Sequence, residues 1–141
     1  MSKEITPNEQ INPSAEGGLF GRFFRRKHET IDVHEQEVIE HLMSAEPGSA
    51  RYIAYDTQIE FLENGSNIKN SNRTFDKYQQ NRRGIDGYAE EDRILDELLV
   101  SSGYYRKCSR RFGSGQKNMR LFAKRLKEIK QIVIDKKSQN L

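Results

Sequence analysis

The sequence predicts a mainly α protein, a small bundle of about four to five helices preceded by a disordered N-terminal tail. Three observations predict it. Apolar residues recur at spacings of three and four in several stretches, most clearly from Tyr88 and again from Met119. Pro-Gly, Asn-Gly and single glycines divide those stretches at helix-length intervals. The 141 residues also suit one domain, since ~100–200 residues is the usual domain size. Leu, Ile, Val and Phe number 32, about 23 % of the chain, against the ~20 % below which highly charged chains tend to stay disordered. A modest core can therefore form.

Residues 1–18 hold two prolines and many polar side chains, too little apolar surface to offset the entropy of ordering, and are expected to be a disordered tail. Residues 19–31 form a basic and aromatic segment. In it Leu19, Phe20, Phe23 and Phe24 interleave with cations that include Arg25 and Arg26, a composition suited to docking on a partner or a membrane surface. The competing reading is that these apolar side chains fold back onto the core. Residues 32–141 are expected to be a single helical domain with a basic C-terminal third.

Asp32 stands three residues before Glu35, a capping-box variant, so a helix should start at Val33 and stop before Pro47-Gly48, with Val38, Ile39, Leu42 and Met43 on one face. Ser49 is the next N-cap candidate. Tyr52, Tyr55, Ile59 and Leu62 follow at helical spacing up to Asn64-Gly65, although the Tyr and Ile content of residues 50–63 leaves a strand pair open. Residues 64–74, rich in Asn, read as a loop, and Phe75–Arg83 as a short helix ended by Gly84. Tyr88 to Ser101 should be helical: Glu90, Glu91 and Asp92 favour its first turn, and Ile94, Leu95, Leu98 and Leu99 form its buried face. Gly103 breaks it. Tyr104–Phe112 has the potential for another short helix, and Ser114 can cap a long last helix from about Gly115 to Lys136.

The net charge of +3 conceals a segregation. Residues 1–48 hold five Lys/Arg against nine Asp/Glu, residues 49–100 seven against ten, and residues 101–141 twelve against two, leaving −4, −3 and +10. Clustered charge of this kind steers and binds polyanions. On the last helix Lys117, Arg120, Lys124 and Lys127 fall opposite the arc of Met119, Phe122, Ala123, Leu126, Ile129 and Val133. Before it, Arg106, Lys107, Arg110 and Arg111 alternate with Tyr104, Tyr105 and Phe112, a pattern suited to nucleic acid. A solvated basic face is the plainer alternative, and Tyr105, Cys108 and Phe112 also share one helical face that would suit the core. The turn around Gly113-Ser114-Gly115 matches neither the phosphate-loop nor the dinucleotide pattern.

His34, Glu37 and His41 have a spacing compatible with metal ligation, yet their arc opposes the apolar one and is expected to face water. Asp86, Glu90, Glu91, Asp92, Asp96 and Glu97 are explained by helix capping and solubility. One cysteine, Cys108, excludes an internal disulfide framework and a multi-cysteine zinc site. No stretch is apolar enough for a membrane span and no secretory signal is apparent, so a cytoplasmic location is expected. With no nucleophile–base or paired-carboxylate constellation, the expectation is a non-enzymatic protein without metal or cofactor. It would bind the phosphate backbone of DNA or RNA through residues 104–130. The alternative is an adaptor or assembly subunit that binds a protein partner, or itself, through residues 19–26 and its charged faces.

Overall fold

The Asp32 carboxylate starts the first helix, α1 (Val33–Met43). Its Oδ1 accepts from the Glu35 backbone N–H at 2.9 Å, while Glu35 Oε1 accepts from the Asp32 N–H at 3.3 Å, so two otherwise orphaned donors are satisfied reciprocally. The computed structural model describes residues 31–65, 67–112 and 116–139, and only the backbone of residues 111, 112, 116 and 117. The expected tail and the segment 19–30 lie outside the described residues.

On α1 Val38, Ile39 and Leu42 are buried as the spacing predicts, with Glu35 beside them, while Met43 is only half-buried. The chain turns through Gly48 at φ +85°, a left-handed conformation that costs a non-glycine residue, and enters α2 (Ala50–Asn64). Tyr52, Tyr55, Ile59 and Leu62 are buried along it, so the strand alternative for residues 50–63 is overturned. Both tyrosines keep their rings in the core and spend their hydroxyls on carbonyls: Tyr52 donates to Leu42 O at 3.2 Å and Tyr55 to Leu126 O at 2.6 Å. Ser49 occupies the N-cap position, but its hydroxyl makes no capping bond.

A longer helix replaces the expected loop at residues 64–74. It is α3 (Ile68–Gly84), which starts where the Asn67 side chain accepts from the Asn70 N–H at 2.9 Å. Asparagine weakens a helix interior but favours its first boundary, and neighbouring elements supply the rest. Thr74 is buried and donates to Asn70 O at 3.0 Å, while the Tyr78 ring meets the edges of Phe61 and Tyr88 at 5.7 and 6.0 Å between centroids.

Gly87, at φ +82°, leads into α4 (Tyr88–Asp96), which continues through a wide turn over Glu97–Ser101. There the Ser102 N–H donates to Glu97 O at 3.0 Å, five residues back. Leu95 and Leu99 are buried on this helix, while Ile94 and Leu98 are half-buried. After Gly103 (φ +94°) come α5 (Tyr104–Phe112) and α6 (Gln116–Gln139). The cap expected of Ser114 falls outside the described residues. Six helices and no strand are present among the described residues, a mainly α bundle with more helices than the four to five expected. The count is higher because both short stretches with helical potential are helices: Tyr104–Phe112 is α5, and Phe75–Arg83 lies within α3, which also takes in residues 68–74.

The core lies between α6 and the helices packed on it. α6 runs against α1, α2 and α5 and buries Phe122, Ala123, Leu126, Ile129, Ile132 and Val133. α2 in turn packs on α4 and α3. No helix among the described residues is long and apolar enough to cross a membrane.

Candidate nucleic-acid interface

Basic side chains on α5 and α6 depend on an acidic anchor beneath them. Glu35 is 2 % exposed, and the Arg125 guanidinium clamps it with two bonds, Nε to Oε2 and Nη2 to Oε1, both at 2.8 Å. Tyr104 adds its hydroxyl to Glu35 Oε2 at 2.5 Å, and Arg125 reaches Glu128 at 2.9 Å. One carboxylate thus joins α1, α5 and α6. Burial disfavours a charged guanidinium, but the bonds to Glu35 outweigh it and raise the Arg125 pKa further above its ordinary range. The Tyr104 hydroxyl is likewise pushed far up, first by burial and then by the Glu35 charge, and remains a donor.

Above this anchor the eight basic residues of the expected interface separate into three groups. Arg106 and Arg110 on α5, and Arg120 and Lys124 on α6, are exposed and have no acidic partner among the described residues. Lys107 is bound to Asp32 at 2.9 Å, and Lys127 is paired with Glu63 of α2. Arg111 and Lys117 fall on α5 and α6, with side chains outside the described part. Burial would raise the Asp32 carboxyl, but hydrogen bonds from Lys107 and the Glu35 N–H hold it below its ordinary range. Arg120, Lys124 and Lys127 stand at i, i+4 and i+7, a single row along the outer face of α6.

Tyr104 and Tyr105 of α5 turn inward, while the Phe112 side chain lies outside the described part. Tyr104 and Cys108 are buried, Tyr105 is half-buried, and both tyrosine rings lie against Phe122, at 5.5 and 4.9 Å. They are consequently not a stacking surface, and Tyr104, which the expected core face omits, is the most deeply placed of them. A hollow of about 240 Å³ on this side is lined by Asp32, Tyr104, Lys107, Cys108 and Arg110.

Two other expectations for polar groups change. His41 is not a solvated face residue: its side chain is 10 % exposed and sits 3.6 Å from Glu91, which Arg51 holds at 2.8 and 3.2 Å. His34 is half-buried against the Tyr104 ring at 5.8 Å, and Glu37 is exposed. Among the described residues no group of three or more His, Cys, Asp or Glu side chains is gathered as a metal site. In the acidic cluster, Glu91 is bound to Arg51, Asp92 accepts from Tyr78 at 3.1 Å, and Arg93 bridges Glu90 and Glu97. Leu19, Phe20, Phe23, Phe24, Arg25 and Arg26, the residues expected to dock on a partner, lie outside the described residues.

Sequence reasoning missed the Glu35–Arg125 pair, though a signal existed. Glu35 shares its face with Val38, Ile39 and Leu42, and Arg125 interrupts the apolar side of α6. Two opposite charges, each inside an apolar stripe, are the pattern of a buried pair. Also missed was the charge of α3, where five cations meet one acid; summing residues 49–100 averages it away against its acidic neighbours. Comparison with known protein families, with curated proteins and with solved structures finds no match for this chain.

Proposed function

We propose that this chain is a non-enzymatic nucleic-acid-binding or nucleoprotein-associated protein that contacts phosphates through α5 and the outer row of α6. One observation carries the reading: Arg106, Arg110, Arg120 and Lys124 are exposed without acidic partners among the described residues, while of the cations that face other elements Lys107, Arg125, Lys127 and Lys130 are each paired with an acid and Lys137 donates to the Ala45 carbonyl. Unpaired, exposed cations are the ones available to displace counterions from a polyanion. Duplex DNA contacted by four of them should give a log affinity that falls with log salt at a slope of roughly −3.6. Replacing Arg110, Arg120 and Lys124 with Gln should lower both affinity and slope. A full-length chain that binds neither DNA nor RNA at low salt, or binds unchanged after those replacements, rules the reading out.

The adaptor reading draws on a different observation. Exposed acids on α1 and α4, Glu37, Glu40 and Asp96, lie on other helices than the exposed cations that have no acidic partner among the described residues, an arrangement suited to joining copies or partners of opposite charge. Mass in solution at low and high salt separates it from the first, because an assembly held this way dissociates as salt rises.

A further inference from the structure

The long polar helix α3 carries a surface that the α5–α6 reading leaves unused. Phe75 is 48 % exposed and lies nearly parallel to Tyr78, with centroids 6.2 Å apart and planes at 27°. Arg82 continues the row: its guanidinium carbon stands 5.7 Å from the centre of the Tyr78 ring, and Nη1 donates to the Tyr78 hydroxyl at 3.0 Å. The same hydroxyl is held by Asp92 of α4, and the Tyr78 ring is wedged edge-on against Phe61 and Tyr88. Phe75, Tyr78 and Arg82 therefore form a ladder along one flank of the helix, with the half-exposed Phe75 ring at its end.

Cations gather at one end of the ladder: Arg82 closes it and Arg83 stands about 80° from Phe75 on the helical wheel, while Lys69, Arg73 and Lys77 fall on other sides of the helix. Lys69, Arg73 and Arg83 are exposed and have no acidic partner among the described residues, Lys77 is engaged by Glu60 at 3.1 Å, and Asp76 is the one acid of the helix. At ~100° per residue, Phe75 shares its side of α3 with Ile68, which is 80 % exposed, and with Asn72 and Gln79. The result is an aromatic ring bordered by amides, with Arg82 and Arg83 about two turns along the helix. A hydrophobic partner would require an apolar patch, whereas here the apolar groups are single, their neighbours are amides and the end of the ladder is basic. Stacked bases joined by phosphates match both parts, since every base offers a π-face and successive phosphates meet cations.

We infer that α3 is a second nucleic-acid contact, one that stacks unpaired bases on Phe75 and directs the chain toward single strands. The inference rests on the nucleic-acid reading above and adds a strand preference to it, because a duplex keeps its base faces covered.

The test measures binding of the full-length chain to a labelled 12-nucleotide single-stranded DNA and to the 12-base-pair duplex of the same sequence. Phe75→Ala and Phe75→Leu should each weaken single-strand binding by about fivefold or more and leave duplex binding unchanged, while Phe75→Trp preserves it. Helix content by circular dichroism should match wild type in all three. If Phe75→Leu binds the single strand as wild type does, apolar contact rather than stacking is responsible and the inference fails. If single-strand binding falls with the Arg110, Arg120 and Lys124 replacements but ignores Phe75→Ala, α3 is not a contact and the α5–α6 reading stands alone. Absence of all nucleic-acid binding overturns both readings. Conversion of an oligomer to a monomer by Phe75→Ala, with unchanged affinity for the oligonucleotide, would make this surface an interface between copies and overturn the inference.

Discussion

Helices α6 and α3 are both long, both basic, and built on opposite physical terms. α6 buries six apolar side chains and supplies Arg125 to the Glu35 anchor; α3 buries Thr74 and is otherwise held through the Tyr78 ring, Asn67 at its start and one exposed ion pair with Glu60. Hydrophobic burial makes a helix independent of details at its ends. A helix without it depends on its cap and on a few contacts, and exchanges more easily with the open state. The difference teaches that equal charge on two helices does not imply equal support: cations on α6 stand on a packed apolar face, whereas those on α3 stand on a helix tied at few points.

The largest way to break the contrast is at the anchor. Arg125→Met leaves Glu35 buried without its cation and should cost about 3–5 kcal/mol in denaturant unfolding. The double replacement Glu35→Leu with Arg125→Met should recover part of that loss, because the unpaired charge is gone while the Tyr104 hydroxyl and the Asp32 N–H lose their acceptor. Equal destabilisation of the single and double variants would show that packing, not the unpaired charge, dominates.

A smaller effect is expected at α3. Asn67→Ala removes the side-chain acceptor for the Asn70 N–H and should cost about 0.5–2 kcal/mol. Hydrogen exchange should reveal faster opening in Ile68–Gly84 while α6 amides keep their protection. Uniform acceleration along the chain would mean that α3 and α6 unfold as one unit and that the contrast is wrong.

The smallest is a pH effect on the packed side. Burial first, then the Arg51 guanidinium, lower the His41 pKa from its ordinary 6.5, against an opposing pull from Glu91. The unfolded chain therefore holds this proton more readily than the folded one, and stability should decline as pH drops below about 6.5 toward the depressed folded value. His41→Gln should flatten the thermal midpoint's dependence on pH between about 7.5 and 5.5. A variant with the wild-type pH slope would assign the dependence to other groups.

Much of α1, α2, α4 and α6 was legible because their apolar residues repeat at helical spacing and recognisable boundary residues bracket them. Asp32 with Glu35 placed the start of α1 to the residue. The first half of α3 was not legible: four asparagines within residues 64–72 outweigh any periodicity, and a cap looks like a loop until the turn after it is seen. Of the candidate interface, the exposure of Arg106, Arg110, Arg120 and Lys124 followed the helical wheel. The inward placement of Tyr104 and the engagement of Lys107 and Lys127 did not, because each depends on a residue of another helix.

The sequence by itself determined the helical class, the register of the apolar faces and the charge separation, since all three depend on residues within a few positions of one another. The tertiary structure alone decided which charges are spent and which remain. Arg125 and Arg120 are five residues apart on one helix, yet one clamps Glu35 from ninety positions away and the other stays in water. That distinction depends on which helix packs on each face, because a charge is neutralised by its neighbour in space and not by its neighbour in the chain.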